Sequence, residues 1–292
     1  MTRRNFDCVV IGSGPAGLAA ATAAAEAGAS VVSVDRMGPG GQLMNLGELI
    51  GVEGLEGGST GPDLIALLAE QAMASGVELA IDEVTAARCD DLGLWWIDTL
   101  DGGFQAKALV MASGLTPGTT GVADEARYEG QGLSHCAHCD APLYAGRPVL
   151  VVGDDAWTVE EAIALADYAS TVTLVTSHTP DAPPERLAEL MGRDNIAIIE
   201  GKVAGLHGEA ALEKALVEAG GSVQKFIEAH GLFVYTGRKP ALSVLEAGSE
   251  AAPGLFWAGD VRPETGRTIT EAIADGAEAG QNAANWAAAR SS

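Results

Sequence analysis

The sequence has little positive charge, few cysteines and no long apolar segment. It carries 17 Lys and Arg against 40 Asp and Glu, a formal net charge of −23, which argues against nucleic acid and anionic membranes as partners. No apolar run approaches the ~20 residues that span a bilayer. The first residues, MTRRNFDCVVIG, lack the cleavage site that closes a signal peptide. We therefore expect a cytoplasmic protein.

Cysteines number only four among the 292 residues. Cys8 and Cys89 are isolated, whereas Cys136 and Cys139 lie close together in the segment SHCAHCDAP. In a reducing cytosol a close pair is more often catalytic or metal-binding than structural. This pair is therefore the first candidate for chemistry.

The hydrophobic period changes twice near the start of the chain. Residues 6–11 form a continuous apolar run, residues 15–27 are Ala-rich and helix-forming, and residues 30–35 are again β-branched. This pattern predicts a strand, a helix and a second strand, in other words a βαβ unit.

A second βαβ pattern follows about 140 residues later, with strands at 148–152 and 171–176 around a helix at 156–168. A last strand at 254–258 and a helix at 268–288 complete the pattern. The sequence therefore predicts an α/β protein with two Rossmann-like domains.

The turn of the first unit is rich in glycine. Gly12, Gly14 and Gly17 form a G-x-G-x-x-G motif between strand and helix. Such glycines permit a tight turn, a close approach of backbone to a pyrophosphate, and packing of the helix on the strand. Asp35 ends the second strand, where a carboxylate accepts ribose hydroxyls. We expect a dinucleotide at this turn.

Further motifs make the chain resemble the low-molecular-weight thioredoxin reductases. GGQL at 40–43, MASG at 111–114, CAHCD at 136–140 and LFWAGDV at 255–261 occur in that family's order. The resemblance implies FAD as the first dinucleotide and a homodimer. It also implies two domains of the three-layer ββα type, the second inserted in the first: an FAD-binding domain of residues 1–114 and 243–292, and an NADPH-type domain of residues 115–242 that carries the cysteine pair.

The resemblance also implies the site residues. Gln42 would contact the isoalloxazine, Asp260 would hold the ribityl chain, and Arg267 with Thr268 would replace the family's Arg-Gln pair, so that the Gln contact is lost or altered. Asp140 would be the acid-base group beside Cys136 and Cys139. The implied FAD-binding residues are Gly12, Gly14, Ala16, Gly17, Asp35, Gly41, Gln42, Leu43, Gly114, Gly259, Asp260, Arg267 and Thr268.

The cysteine pair admits two kinds of chemistry. A Cys-x-x-Cys pair at a helix start brings two sulfurs within disulfide reach and lowers the pKa of one thiol. His135 and His138 beside the cysteines suggest zinc, but four ligands from one pentapeptide cannot easily form a tetrahedron, and no second half-site exists. We therefore expect a redox pair and no metal. His138 either accepts a proton or stabilises a thiolate, or is a solvent-facing spacer without a role.

The second glycine loop departs from the family. Asp154 and Asp155 follow Gly153, and Asp155 replaces the glycine that lets backbone approach a phosphate, so that like charges would face each other. The basic cluster that grips the 2′-phosphate in the family is also missing, since His178 alone remains and the first arginine is Arg186. We expect ordinary NADPH binding to be lost.

Relatives with such losses are of two functional kinds. Some take electrons from a small protein such as ferredoxin and reduce thioredoxin, and others oxidise a dithiol and pass the electrons to oxygen. Ferredoxins are acidic, so the net charge of −23 favours a dithiol oxidase or a disulfide exchanger with an unusual partner. The substrate would be a small dithiol or disulfide, or a thioredoxin-like protein. The alternatives are an ordinary NAD(P)H-dependent thioredoxin reductase and a non-catalytic, flavin-bound redox sensor.

Overall fold

The structure is a computed structural model that describes residues 3–49, 52, 54–220, 223–262 and 268–290. Its internal contacts divide the chain into two units. The first unit comprises Met1–Thr116 and Pro240–Ser292, and the second comprises Pro117–Lys239. Within the described ranges, no helix combines the length and apolar character that crossing a membrane requires.

Sixteen strands and six α-helices make up the described structure. The strands are β1 (Arg4–Ile11), β2 (Val31–Asp35), β3 (Glu78–Ile81), β4 (Val84–Cys89), β5 (Trp95–Thr99), β6 (Gly103–Met111), β7 (Leu115–Pro117), β8 (Leu133–Ser134), β9 (Pro148–Gly153), β10 (Thr171–Thr176), β11 (Ile196–His207), β12 (Lys214–Ala219), β13 (Val223–Glu228), β14 (Gly231–Tyr235), β15 (Arg238–Pro240) and β16 (Leu255–Trp257). The helices are α1 (Pro15–Glu26), α2 (Gly61–Ala74), α3 (Ala137–Asp140), α4 (Ala156–Ala166), α5 (Pro184–Met191) and α6 (Ile269–Ala289).

The first unit is built on a sheet of order β3-β2-β1-β6-β5-β4, with β16 also paired to β6. β1, β2, β3, β6 and β16 are parallel, and β4 and β5 form an antiparallel edge. The chain order reverses between β1 and β6, and ligands of such sheets bind beyond the carboxyl ends of the strands at that point. The last four residues of β1 are buried, as expected of a strand covered on both faces.

The C-terminal helix α6 belongs to the first unit because it packs tightly on α1. A Cβ atom at Gly276 would lie 2.2 Å from the carbonyl oxygen of Ala16, and one at Gly280 would lie 2.0 Å from that of Ala20. Only glycine permits this approach of two helix backbones. The contact fixes α6 beside the start of α1, where the first glycine loop ends.

The second unit is built on a sheet of order β13-β12-β11-β10-β9-β14-β8. β8 to β11 and β14 are parallel, whereas β12 and β13 extend the sheet in an antiparallel way. The chain order reverses between β9 and β14, where Gly153 lies opposite Tyr235. The predicted α/β fold with two Rossmann-like units is confirmed. The antiparallel strands β12 and β13 were not predicted from the sequence.

Candidate functional site

The first glycine loop lies at the carboxyl edge of β1, next to the segment that follows β6. Gly12 has a φ of +102°, and a Cβ atom there would lie 2.4 Å from the carbonyl oxygen of Ala112. Pro15 begins α1, a position where its fixed φ suits the helix and its missing N–H costs nothing. The loop is therefore tight, and it passes directly into a helix N-terminus.

Gly14 and Gly41 face each other without side chains. The Cβ position of Gly14 has the Cα of Gly41 as its nearest neighbour, at 3.9 Å, and the Cβ position of Gly41 lies 3.2 Å from the Cα of Gly14. Gly41 opens a short 3-10 helix, Gly41–Asn45, in which Gln42 is exposed and Leu43 is buried. Two bare stretches of backbone thus form a cradle at the start of α1.

Asp35 ties the glycine loop to the end of β2. Its carboxylate accepts hydrogen bonds from the N–H groups of Ser13 and Met37, both at 2.9 Å. A carboxylate has about four lone-pair positions, so the remaining ones can accept ribose hydroxyls. Asp35 therefore supports the loop, and its binding of ribose hydroxyls stays a prediction.

The C-terminal motif comes to the same edge. Gly259 follows β16, and a Cβ atom there would lie 2.6 Å from the Cβ of Ala16. The Gly259 N–H donates to Asp275 Oδ2 at 2.6 Å, and Arg262 donates to Asp275 Oδ1 at 2.5 Å. Asp260 is half-buried in the following 3-10 helix. The sequence analysis missed Asp275, which fixes this turn.

Three predicted FAD residues remain: Thr268, Arg267 and Gly114. Thr268 is the N-cap of α6, where its hydroxyl accepts from the Glu271 N–H at 3.2 Å and donates to the Glu271 carboxylate at 2.6 Å. Arg267 lies outside the described residues. Gly114 follows β6 with a φ of +66° and open space around its Cβ position. The structure thus brings Gly41 to Gly14 and Gly259 to Ala16, all at the start of α1.

In the second unit, Cys136 and Cys139 form a disulfide with a Cα–Cα distance of 5.4 Å. Cys136 precedes α3, and its sulfur accepts from the Cys139 N–H at 3.2 Å. The pair lies at a helix start, as the sequence predicts, but helix α3 is only four residues long. Cys139 is exposed and Cys136 is half-buried. Among the described residues, no group of three or more His, Cys, Asp or Glu side chains could hold a metal ion.

Asp140 is held by a serine from the strand before the cysteines. Ser134, buried in β8, donates through its hydroxyl to Asp140 Oδ2 at 2.6 Å and accepts from the Cys136 N–H at 3.1 Å. The serine thus connects the backbone of the first cysteine to the carboxylate beside the second. This contact orients Asp140 next to the disulfide.

A buried carboxylate lies behind the disulfide. Glu161, on α4, has a side chain only 1% exposed, and it accepts from the Ala137 N–H at 2.7 Å and from the Tyr235 hydroxyl at 2.6 Å. Its other oxygen lies 2.8 Å from His138 Nδ1. Burial, and then the nearby Glu161 charge and its hydrogen bond, raise the pKa of Tyr235, so the phenol remains protonated. His135 points elsewhere, to the Val234 carbonyl and Glu129.

The sequence offers one signal for this network, which the analysis missed. Thr158, Ala162 and Leu165 occupy the buried face of α4, and helical spacing places Glu161 among them. An acidic residue on an apolar helix face needs a partner when the helix packs. The partners, His138 and Tyr235, come from other elements, so the sequence alone does not reveal them.

The second glycine loop is closed by its own carboxylates. Asp155 is the N-cap of α4, and its Oδ1 accepts from the Thr158 N–H at 2.8 Å and the Thr158 hydroxyl at 2.6 Å. A helix N-terminus that follows such a loop is the usual place for a phosphate. Here a carboxylate of the chain itself occupies that position.

Asp154 joins the loop to the end of β10. It accepts from the Thr176 hydroxyl at 2.5 Å, and from the Ser177 N–H and hydroxyl at 2.7 and 2.9 Å. Burial alone would raise the pKa of Asp154, but these hydrogen bonds outweigh it and lower the pKa below its usual range. The Asp181 N–H also donates to the Asp154 carbonyl at 2.8 Å. The segment after β10 therefore packs against the loop.

Few basic side chains lie near this loop, and those described below already have partners. Arg186, on α5, forms ion pairs with Glu160 and Glu189. His178 is exposed, and its Nδ1 donates to the Thr179 carbonyl at 2.8 Å. Arg238 lies over the ring of Trp157 in the first turn of α4, 6.0 Å from its centroid. The cations named here are thus already engaged with other side chains or with the backbone.

Comparison with known proteins adds a family to this geometry. Residues 6–276 match the family model described as pyridine nucleotide-disulphide oxidoreductase. The thioredoxin reductases of Peptoclostridium acidaminophilum and Peptoclostridium litorale are 32% and 30% identical, each alignment covering 96% of both chains. The solved thioredoxin reductase of Lactococcus lactis is 29% identical with a TM-score of 0.80, over 97% of this chain and 99% of that one.

Proposed function

The chain belongs to the thioredoxin reductase family of pyridine nucleotide-disulphide oxidoreductases. Because its second glycine loop departs from the pattern of that family, we propose that this member works without NAD(P)H. As a member it is an FAD-dependent thiol-disulfide oxidoreductase with the redox pair Cys136 and Cys139. The proposed reaction oxidises a dithiol substrate. Electrons enter through the cysteine pair and leave to oxygen.

One observation carries this proposal: Asp155 caps α4 from the position that a cofactor phosphate would need. A phosphate entering there would have to displace a carboxylate with two hydrogen bonds, and it would meet the charges of Asp154 and Asp155. Two like charges ~4 Å apart cost about 1 kcal/mol even in water, and more near protein. Of the nearby cations, Arg186 already pairs with Glu160, and Arg238 already lies over the Trp157 ring. Both effects disfavour NAD(P)H.

The residues of the first unit fit FAD. The opposed backbones of Gly14 and Gly41 leave a cradle that a side chain would fill, and Asp35 retains lone pairs for ribose hydroxyls. The Gly259 turn, braced by Asp275, lies beside Ala16 at the same edge of the sheet. We propose these residues as FAD contacts. Bound FAD supplies a group that accepts an electron pair from a dithiol and returns it to another acceptor.

Gly14→Ala should weaken FAD binding by at least about tenfold while the apoprotein unfolds at an unchanged temperature. Gly14 has an ordinary φ of −76°, and its Cβ position is free of close contacts, so the apoprotein tolerates alanine there. The methyl group would nevertheless enter the cradle. Isothermal titration of apoprotein with FAD and thermal unfolding measure the two effects.

Gly12→Ala provides the matched contrast. Its Cβ would lie 2.4 Å from a carbonyl oxygen at a φ of +102°, so the apoprotein itself should lose stability. If Gly14→Ala bound FAD as tightly as the wild type, the cradle would not be the pyrophosphate site.

We propose oxygen as the electron acceptor of a dithiol oxidase, because the alternative, a reductase fed by a ferredoxin-like protein, requires an acidic protein to bind this acidic chain. The formal charge of −23 would repel a ferredoxin-like protein during association. The reaction balances as a dithiol plus oxygen giving a disulfide plus hydrogen peroxide. Two electrons and two protons move from the two substrate sulfurs to the oxygen molecule. A thioredoxin-like protein or a small dithiol both suit this chemistry.

Anaerobic stopped-flow reduction of the FAD-loaded protein tests the proposal. A dithiol such as dithiothreitol should bleach the flavin at least about 100-fold faster than equal concentrations of NADPH or NADH, since neither nucleotide has a free site. Air should then restore the colour and yield hydrogen peroxide in proportion to the flavin reduced. Dithionite gives the full amplitude as a control.

Other outcomes assign other functions. Fast, saturable bleaching by NADPH would identify an ordinary thioredoxin reductase. Bleaching by a reduced ferredoxin, with no peroxide after a dithiol, would identify a reductase fed by a protein. A flavin that no dithiol bleaches would indicate a redox sensor. We also propose that the protein is a cytoplasmic homodimer. Sedimentation of the FAD-loaded protein would test whether it is a dimer.

A further inference from the structure

The His138 ring has one nitrogen engaged with a buried carboxylate, while the side chain as a whole is mostly exposed. Nδ1 lies 2.8 Å from Glu161 Oε1, and the His138 side chain is 60% exposed while that of Glu161 is 1% exposed. A carboxylate accepts hydrogen bonds, so Nδ1 carries the ring proton and its N–H donates a hydrogen bond to Glu161 Oε1. This hydrogen bond fixes the tautomer, so that Nε2 is the ring nitrogen with an available lone pair.

Glu161 is well suited to hold the ring. Its carboxylate is buried, and a buried charge persists only when it is hydrogen-bonded and paired. The Ala137 N–H and the Tyr235 hydroxyl fix one oxygen, and the second oxygen faces His138. Because Ala137 and His138 lie between the two cysteines, the same carboxylate anchors the redox turn and orients the imidazole.

We propose that His138 is the acid-base group for thiol-disulfide exchange with the substrate, and that Glu161 is its positioning residue. The proposal rests on the proposed function and assigns the proton transfers at its substrate side. Asp140 is held separately, by Ser134, so the two acid-base groups have separate supports. The other titratable groups that interact with His138 or Glu161 are Glu160 on α4 and Tyr235 on β14.

The proton transfers balance among the two cysteines, His138 and the substrate. When the reduced protein meets a disulfide, His138 Nε2 takes the proton of one cysteine thiol, and the thiolate attacks a substrate sulfur. The substrate S–S bond breaks, and the departing thiolate takes the proton back from the imidazolium. The second cysteine then attacks the mixed disulfide and passes its own proton by the same nitrogen to the second leaving thiolate. Dithiol oxidation is the reverse sequence.

A leaving thiolate of high pKa needs this proton, whereas an aromatic thiolate leaves without it. The test therefore compares two disulfides on the anaerobic, prereduced, FAD-loaded protein. Hydroxyethyl disulfide has an alkyl leaving group, and 5,5′-dithiobis(2-nitrobenzoate) has an aromatic one. Rapid quenching with a maleimide and counting of protein thiols by mass spectrometry give both rates. The ratio of the two rates is the readout, because a general loss of structure lowers both.

In His138→Asn the ratio of alkyl to aromatic rates should fall by about 100-fold, the usual contribution of an acid-base group. In Glu161→Gln it should fall by about tenfold, since an amide N–H facing Nδ1 favours the opposite tautomer. Glu129→Gln is the matched control: it removes a carboxylate that pairs with the other histidine, His135, and the ratio should stay unchanged. Circular dichroism and flavin content check that each variant is folded.

The outcomes separate this inference from the proposed function. An unchanged ratio in His138→Asn would overturn the role of His138. A reduced ratio in His138→Asn with an unchanged one in folded Glu161→Gln would overturn the positioning role of Glu161. If the wild-type thiols exchanged with neither disulfide, the proposed function itself would be wrong. The assay uses prereduced protein, so it is independent of the physiological electron donor.

Discussion

Replacing either Cys136 or Cys139 with serine should abolish dithiol oxidation, with turnover reduced by at least about 1,000-fold. The two sulfurs form one disulfide, and a serine hydroxyl can neither form nor break an S–S bond. Peroxide production per flavin with a dithiol substrate measures the loss. FAD content should stay at the wild-type level, because the glycine cradle lies in the other unit of the chain.

Cys89→Ser is the control for this pair. Cys89 is half-buried and free, and burial, followed by the charge of Asp90, raises the pKa of its thiol, which makes it a poor nucleophile. Its replacement should leave turnover unchanged. Retention of more than about a tenth of the activity in Cys136→Ser or Cys139→Ser would contradict a mechanism through the disulfide.

The two serine variants also distinguish the roles of the sulfurs. In the family that the sequence resembles, the second cysteine exchanges electrons with the flavin, so we predict this role for Cys139 and exchange with the substrate for Cys136. Solvent exposure alone would favour the opposite assignment, since Cys139 is exposed and Cys136 is half-buried. We keep the assignment by resemblance, so Cys139→Ser should trap a mixed disulfide with an oxidised substrate on Cys136. A stable adduct on Cys139 of the Cys136→Ser variant alone would reverse the assignment.

Local sequence patterns sufficed for the elements around both glycine loops. The strand, turn and helix at residues 6–27 depend on hydrophobic period and on glycine, both of which act over a few positions. The helix predicted at 156–168 is observed at Ala156–Ala166 for the same reason. The antiparallel strands β12 and β13 were missed because their pairing is decided by tertiary contacts and not by local period.

Side-chain partners were predicted less well than elements. The sequence analysis recognised Asp155 as a charge that repels a phosphate, but its role as the cap of α4 follows from the backbone geometry. Glu161 and Tyr235 were missed because they reach the cysteine turn from positions 24 and 98 residues away along the chain. Such contacts depend on the packed fold and leave almost no trace in local sequence.

Opening the second loop should create NADPH-driven reduction of the flavin. The variant combines Asp154→Gly and Asp155→Gly with arginines at positions 177 and 178, in place of Ser177 and His178. It frees the N-terminus of α4 and supplies two cations at the end of β10 for a 2′-phosphate. We expect anaerobic bleaching by NADPH to rise at least about 100-fold. Replacing the N-cap Asp155 by glycine costs only a few tenths of a kcal/mol. Asp154→Gly also removes three hydrogen bonds at the end of β10, so thermal unfolding of the variant is measured beside its bleaching.

Single substitutions at Asp155 separate charge from occupancy. Asparagine caps a helix about as well as aspartate but carries no charge, whereas glycine has neither the charge nor a side chain that accepts the Thr158 N–H. If repulsion alone excludes the cofactor, Asp155→Asn added to the two arginines should restore bleaching as fully as Asp155→Gly. We expect glycine to be clearly better, because the Asp155 side chain already accepts the Thr158 N–H that a phosphate would need. Equal rates for asparagine and glycine would show that the cap is irrelevant. No gain in any variant, with FAD content and unfolding temperature unchanged, would mean that the packing of the segment at Asp181 against the loop excludes the nucleotide.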